Sequence, residues 1–276
     1  MVKTLTAPKK ATSDETIQEV MSCYGGEKWV KEVNELFPPT NFGCINFGYW
    51  EQVPELISIK LREKSQLDLY RKLFEFADIH RIQKATTLEV GCGRGHGVNL
   101  LSSYSHNSYG VDLVESQIQT CMNNYPSIKS NFKHAFSNKT GFQANFFDFV
   151  ISVEAAQHFH NFFSFTREAY RILKNSGKIA ITTFFFPNKR CKRAIKNILP
   201  QDISGTHRMI SISQAEKFLK EAGFKNIKIV PIGAKVFKGF CKWANQAMSN
   251  KNHTPRWVAA YENKLIDYYM ISGDKN

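Results

Sequence analysis

From Thr86 onward the chain alternates between two hydrophobic periods. Short apolar runs rich in β-branched and aromatic residues occur at Thr86–Val90, Ser108–Leu113, Asn131–Phe136, Phe147–Val153, Lys178–Phe186, Ile227–Ile232 and Ile266–Ser272. Their lengths and flanking turn residues predict strands. Between most of them lie segments with helical spacing: Gly97–Ser103, Glu115–Tyr125, Phe162–Leu173, Lys189–Leu199, Ser213–Ala222 and Val236–Ser249. Such alternation implies right-handed crossovers over the faces of one sheet. The predicted fold class is α/β: a doubly wound, mostly parallel seven-stranded sheet with helices on both faces. Ligands of such sheets bind beyond the carboxyl ends of the strands, where strand order reverses. The loops after Val90, Leu113, Phe136, Val153 and Phe186 are therefore expected to carry the site.

The first third of the chain has another pattern. Glu55–Asp78 repeats apolar residues at helical spacing (Leu56, Ile59, Leu67, Tyr70, Leu73, Phe74, Ala77). Thr16–Leu36 does so weakly, broken by Gly25-Gly26 and ended by Pro38-Pro39, and an aromatic loop follows at Asn41–Trp50. Three regions are expected: a disordered leader at residues 1–15, an N-terminal helical lid with its aromatic loop at 16–85, and the α/β core at 86–276, with a helical insertion before the last strands.

Charge modifies this picture. Lys and Arg outnumber Asp and Glu by 37 to 24, a net +13, and the excess is clustered. No acidic residue occurs from Ala169 to Gln201, where Arg171, Lys174, Lys178, Lys189, Arg190, Lys192, Arg193 and Lys196 fall. Such a field favours an anionic partner: an acidic small molecule, an anionic membrane surface or nucleic acid. The six cysteines show no C-x-x-C pair, which points to reduced, buried thiols, a cytoplasmic location and no metal site. No run approaches the ~20 apolar residues of a membrane span, and the expected state is a monomer or homodimer.

The sharpest chemical signal is Thr-Thr-Leu-Glu-Val-Gly-Cys-Gly-Arg-Gly-His-Gly, Thr86 to Gly97. A strand ends in a loop of glycines that lets the backbone approach a ligand. Asp112 ends the next strand, where a carboxylate can accept from ribose hydroxyls. The G-x-G-x-x-G spacing of dinucleotide binders fits neither register, since His96 or Val98 would occupy its last position. Glu89 would repel a pyrophosphate but can meet the ammonium of an amino-acid-bearing nucleoside.

LEVGCGRGHG and YGVDL resemble the first two motifs of class I S-adenosylmethionine-dependent methyltransferases. Phe147–Glu154 resembles that family's fourth strand, Arg171–Lys178 its R-x-L-K-P-G-G turn, and Glu221–Phe224 its A-G-F segment. Asn46–Trp50 resembles the G-Y-W segment that closes over the cofactor. Val153–Phe159 resembles the loop of members acting on lipids, sterols, quinone precursors and macrolide or sugar hydroxyls. The resemblance implies S-adenosylmethionine as cofactor, held by Tyr49, Glu89, Gly91, Cys92, Gly93, Asp112, Leu113, Gln117, Phe136, Ser137 and Val153. The family's G-D-A triplet after the third strand is replaced by Ala135-Phe136-Ser137, so Phe136 would stack on adenine where an Asp is usual.

Methyl transfer from a sulfonium is an in-line displacement that mainly needs orientation; a hydroxyl acceptor also benefits from a base. His158 is the leading candidate, with Glu154 beside it and His207 second. The competing role for His158 is packing among Phe159, Phe162 and Phe163. The aromatic loops beside basic residues imply a small, hydrophobic and anionic acceptor, most simply an O-methylation substrate. The rival readings are an RNA or protein methyltransferase using the basic surface, and a non-catalytic cofactor-binding relative.

Overall fold

Seven strands form one sheet in the order β3-β2-β1-β4-β5-β7-β6, with β7 antiparallel to both neighbours. The computed structural model describes residues 44–78, 84–195, 198–199, 209–247 and 254–276. The expected leader, the Thr16–Leu36 helix and His207 lie outside the described residues. The chain runs α1 (Ile59–Phe76), β1 (Thr86–Val90), α2 (His96–Ser102), β2 (Asn107–Asp112), α3 (Glu115–Asn124), β3 (Phe132–His134) and β4 (Phe147–Val153). It continues through α4 (Phe162–Ile172), β5 (Leu173–Phe185), α5 (Cys191–Ala194), α6 (Ile212–Ala222), β6 (Lys225–Pro231), α7 (Phe237–Ala247), α8 (Thr254–Glu262) and β7 (Asp267–Asp274).

The expected fold class holds, and the reason lies in side-chain alternation. Along β4, Phe149, Ile151 and Val153 face one apolar cluster, shared with Leu69, Leu73 and Phe74 of α1 and with α7 and α8. Phe147 and Val150 face the other, shared with α4 and α6. A strand covered on both faces reads as a nearly continuous apolar run, broken in β4 only by Asp148 and Ser152. Helix ends are set locally. Ser58 caps α1 by accepting from the Leu61 amide, and Ser211 and Gln214 form a capping box on α6.

Four boundaries differ from expectation. The strand expected over Asn131–Phe136 contracts to three residues, because a 3-10 turn at Pro126–Asn131 precedes it. The expected helix over Lys189–Leu199 forms only the turn α5 among the described residues. The turn at Arg171–Lys178 becomes an irregular start to β5, where pairing with β4 shifts between Phe147 and Phe149 and Ser176 takes φ 63°. Helix α8 was not expected; it starts at Thr254-Pro255 and buries Trp257 and Ala260. Among the described residues no helix is long and apolar enough to cross a membrane.

Strand order reverses between β1 and β4, so a crevice opens beyond their carboxyl ends. The glycine loop enters it from β1 and residues 154–159 from β4. Above lies a strap, residues 44–50, that precedes α1.

Candidate active site

Glu89 lies in β1, and its side chain is fully buried beneath α1. Oε1 accepts a 2.7 Å bond from the Tyr70 hydroxyl, whereas Oε2 has no hydrogen-bond partner. Burial pushes its pKa up to about 8, with Asp112 adding to the rise and the Tyr70 bond opposing it. A buried acceptor left unsatisfied is costly and demands an explanation. One oxygen of Glu89 is thus left without a donor among the described residues.

The loop beside it is shaped by close approach. Gly91 takes φ 79°, and a Cβ there would fall 2.3 Å from Ala155 Cβ, so the glycine loop and the loop after β4 touch at this point. At Gly97 a Cβ would meet Glu89 Oε2 at 2.3 Å, which is why α2 can begin directly over the carboxyl. Asp112 accepts from the amides of Gly93 and Val114, each at 2.9 Å, and so ties the loop to the end of β2. Burial raises its pKa and those amides lower it.

The other expected cofactor residues divide. Leu113 and Gln117 follow Asp112, the first half-buried and the second buried at the start of α3. Cys92 is buried behind the loop in a cluster with Cys121, Val98 and Phe132, and its amide donates to the Val111 carbonyl at 3.1 Å. Phe136 is 42% exposed beyond β3, an unusual setting for a phenylalanine, and Ser137 is half-buried beside it. Val153 ends β4 and is buried. Tyr49 is placed elsewhere: its ring lies 5.8 Å from the Lys72 ammonium, in a surface ionic cluster with Glu51 and Lys235. From the strap, Ile45 reaches the glycine loop, 3.9 Å from the Cβ position of Gly93.

Of the expected catalytic groups, Glu154 immediately follows β4 in a left-handed conformation, φ 50°. Its Oε2 accepts from the Phe47 amide and the Tyr268 hydroxyl, both at 2.8 Å. Burial raises its pKa to about 8, against those two bonds and the nearby Arg62 charge. His158 is half-buried on a 3-10 turn, with Nε2 3.0 Å from the Gln157 amide nitrogen; Gln157 in turn accepts from Thr183 and donates to the Glu154 carbonyl. His160 is exposed. His96 opens α2 bonded to the Tyr125 hydroxyl, and burial with the Arg94 charge lowers its pKa to about 4.

Sequence reading missed the groups that hold the strap. Arg62, buried within α1, donates to the carbonyls of Phe47 (2.9 Å) and Asn46 (2.5 Å). Gln66 donates to the Cys44 carbonyl, and the Tyr49 amide reaches the Ser65 carbonyl at 2.8 Å. The polar group Arg62, Ser65 and Gln66, on the helix face that Leu69, Tyr70 and Leu73 continue, is the signal the sequence offers. His134, bonded to the Leu113 carbonyl at 2.8 Å and paired in register with Asp112, was also missed.

Residues 88–181 match the family model of a methyltransferase domain. That stretch begins in β1 and ends in β5, and so contains the glycine loop, Asp112 and the loop after β4. That stretch is similar to a methyltransferase domain, and the fold is that of class I S-adenosylmethionine-dependent methyltransferases. Among relatives, phthiotriol/phenolphthiotriol dimycocerosates methyltransferase 1 of Mycobacterium ulcerans is 26% identical over 140 residues, 50% of this chain and 52% of that one. The corresponding enzyme of Mycobacterium tuberculosis strain H37Rv is 28% identical, covering 48% and 50%. The chain thus spans about half the length of the curated relatives it matches. Geranyl diphosphate methyltransferase, solved with GPP and sinefungin, superposes with a TM-score of 0.78 at 12% identity, over 95% of this chain and 100% of that one. The geranyl diphosphate C-methyltransferase of Streptomyces coelicolor A3(2) gives 0.77 at 14%, over 98% and 100%. At such identities the likeness is one of fold.

The cofactor of the class carries an ammonium, a ribose diol and an adenine. The chemistry of the crevice fits it: a partnerless carboxyl oxygen on Glu89, a carboxylate at the ribose position of the fold on Asp112, and an exposed ring on Phe136.

Proposed function

We propose that this protein transfers a methyl group from S-adenosylmethionine to a small, lipophilic acceptor. The observation that carries the reading is a juxtaposition. The orphaned Glu89 oxygen and the glycine loop lie one loop contact, Gly91 to Ala155, away from an aromatic layer at the carboxyl ends of β4 and β5. S-adenosylmethionine supplies a methyl group activated on a sulfonium. Glu89 Oε2 would take its ammonium, Asp112 its ribose hydroxyls and Phe136 one face of its adenine, with Cys92, Gly93, Leu113, Gln117, Ser137 and Val153 completing the contacts. The mycobacterial relatives are named for dimycocerosate substrates and the solved neighbours for geranyl diphosphate, and such acceptors suit the aromatic layer here.

The acceptor atom proposed is a hydroxyl oxygen, with His158 as base. The Gln157 amide, held by Thr183, occupies His158 Nε2 and fixes the tautomer; an incoming hydroxyl takes over that bond and gives up its proton there. Glu154, protonated at neutral pH and engaged by the strap, acts by positioning. A carbon acceptor is the second reading, favoured by the rings of Phe47, Phe184 and Trp257, whose faces stabilise developing positive charge. Exposed Lys189, Arg190, Lys192 and Arg193 after β5 suit an anionic head group or an anionic membrane presenting the acceptor.

The test is incubation of the pure protein with methyl-labelled S-adenosylmethionine and fractionated lysate. Label is expected in the lipid or small-molecule fraction; label only in RNA or protein overturns the acceptor class. His158→Ala should lower turnover of a hydroxyl acceptor by ~10²–10⁴ with little change in cofactor affinity, and an unchanged rate would favour the carbon acceptor.

A further inference from the structure

Six large hydrophobic side chains are exposed among the described residues, and four of them, Val53, Leu56, Ile59 and Leu61, fall in one stretch between the strap and the first turn of α1. A lone exposed leucine is ordinary, but a cluster of aliphatic residues facing solvent marks a surface that meets something. Leu56 is 76% exposed, whereas its neighbour Ile57 is 5% exposed and packs with Trp50 and Trp243. The backbone is held at both ends of this stretch. The Trp50 amide donates to the Lys235 carbonyl at 2.7 Å, and the Lys235 ammonium donates to the Glu51 carbonyl at 3.1 Å. The Ile57 amide then donates to the Gln246 side chain at 3.2 Å, and Ser58 caps α1. On α7, Gly239 leaves room for the arrangement, since a Cβ there would fall 2.2 Å from the Trp50 ring. These attachments decide which side chains turn inward, so the outward aliphatic residues are built into the fold.

Size and charge select the occupant. Four aliphatic side chains exposed to these extents offer on the order of 300 Å², well short of the ~800 Å² per partner that a stable protein interface buries. A leucine three-quarters exposed stands on a convex point, which a fluid interface receives more readily than a second folded surface does. The borders carry cations. Lys60 lies on α1, and Lys238 and Lys242 lie one turn apart on α7, the helix on which Trp50 and Ile57 pack; Glu55 and Glu63 are the acids of the stretch. Aliphatic residues within a lysine border are the composition of an interfacial anchor on an anionic bilayer.

We propose that residues 53–61 are a membrane anchor, which inserts Val53, Leu56, Ile59 and Leu61 into an anionic leaflet while Lys60, Lys238 and Lys242 meet its head groups. The inference rests on the proposed methyl-transfer reading only for what the membrane supplies, and adds the face of the molecule that touches the bilayer. The strap runs directly into the anchor. Docking therefore brings the strap, and the crevice beneath it, up to the leaflet, and a lipophilic acceptor enters without crossing bulk water.

The test uses the full chain and vesicles of phosphatidylcholine and phosphatidylglycerol in equal amounts. The native protein should partition onto them, and Leu56→Ser combined with Ile59→Ser should weaken partitioning about tenfold or more. Both side chains are exposed, so the melting temperature and the S-adenosylmethionine affinity should not change. Lys238→Gln with Lys242→Gln should weaken partitioning several-fold on these vesicles and leave binding to pure phosphatidylcholine unaltered. In the vesicle-bound native protein, amide hydrogen exchange over residues 53–61 should slow about tenfold, and this measurement decides if the serine variant does not fold. Absence of native binding, equal partitioning of the serine variant, or unchanged exchange overturns the anchor. So does a native chain that self-associates in sedimentation equilibrium where the serine variant does not, which would assign these residues to a second copy. Calorimetric titration with S-adenosylmethionine separates the two readings. Cofactor binding without vesicle binding overturns the anchor alone; vesicle binding without cofactor binding overturns the reading beneath it.

Discussion

A single unpaired oxygen on Glu89 sets the behaviour of the cofactor crevice. With its pKa raised to about 8 by burial, the side chain is mostly protonated at neutral pH until a cation arrives. Binding of an ammonium stabilises the carboxylate and pulls the pKa back down. Cofactor binding near pH 7 should therefore release up to about one proton, seen as a dependence of the calorimetric enthalpy on buffer ionisation. Glu89→Gln should abolish that dependence and weaken binding about 10–100-fold, while keeping an acceptor for Tyr70. A second consequence follows from Glu89 and Glu154 together. Both are raised from 4.5 to about 8, so between those values the unfolded chain has shed protons that the folded one retains. Their stabilisation is complete below about pH 4.5 and is lost as pH rises through about 8. The melting temperature of the ligand-free protein should fall across that window, and Glu154→Gln should flatten the slope; a melting temperature that rises across it would contradict the burial of both groups.

At the scale of elements, the strap and α1 form one unit because Arg62 reaches back from the helix to two strap carbonyls. Arg62→Met keeps the apolar stem but removes the charged donor, leaving the Phe47 carbonyl to the Trp50 indole N–H at 3.1 Å and the Asn46 carbonyl to Gln66 at 3.5 Å, a loss of about 1–3 kcal/mol in all. Thermal melts should show the loss, and hydrogen exchange should concentrate it in residues 44–50. The same contrast explains what could be read beforehand. Strand β4 was legible to the residue, since a parallel strand buried on both faces reads as a nearly continuous apolar run, here broken only by Asp148 and Ser152. The glycine loop and Asp112 were legible because a close turn and a terminal carboxylate leave local marks. Helix α8 was not, since Trp257 is placed by Phe47 and Phe184, residues far away in sequence. Nor was the fate of Tyr49, which depends on where Lys72 and Lys235 arrive. Contacts between distant elements carry no local signature.

For the whole molecule, the net charge of +13 predicts association governed by salt. Co-sedimentation with vesicles containing anionic lipid should exceed that with neutral vesicles and fall steeply as ionic strength shortens the screening length to about 8 Å or less. Equal binding to both vesicle types would remove the membrane from the proposed delivery route and leave the basic side chains after β5 to the acceptor itself.

The strap also fixes an order of events during synthesis. Residues 44–50 leave the ribosome before every partner that seats them: Arg62, then Glu154, the Lys235 carbonyl that receives the Trp50 amide, and at last Phe240, Trp257 and Tyr268. The segment made first among these is therefore locked last. A nascent chain carries Phe47 and Trp50 uncovered for most of its elongation, and a ribosome stalled before Trp257 should hold a sheet still awaiting β7 with its strap undocked.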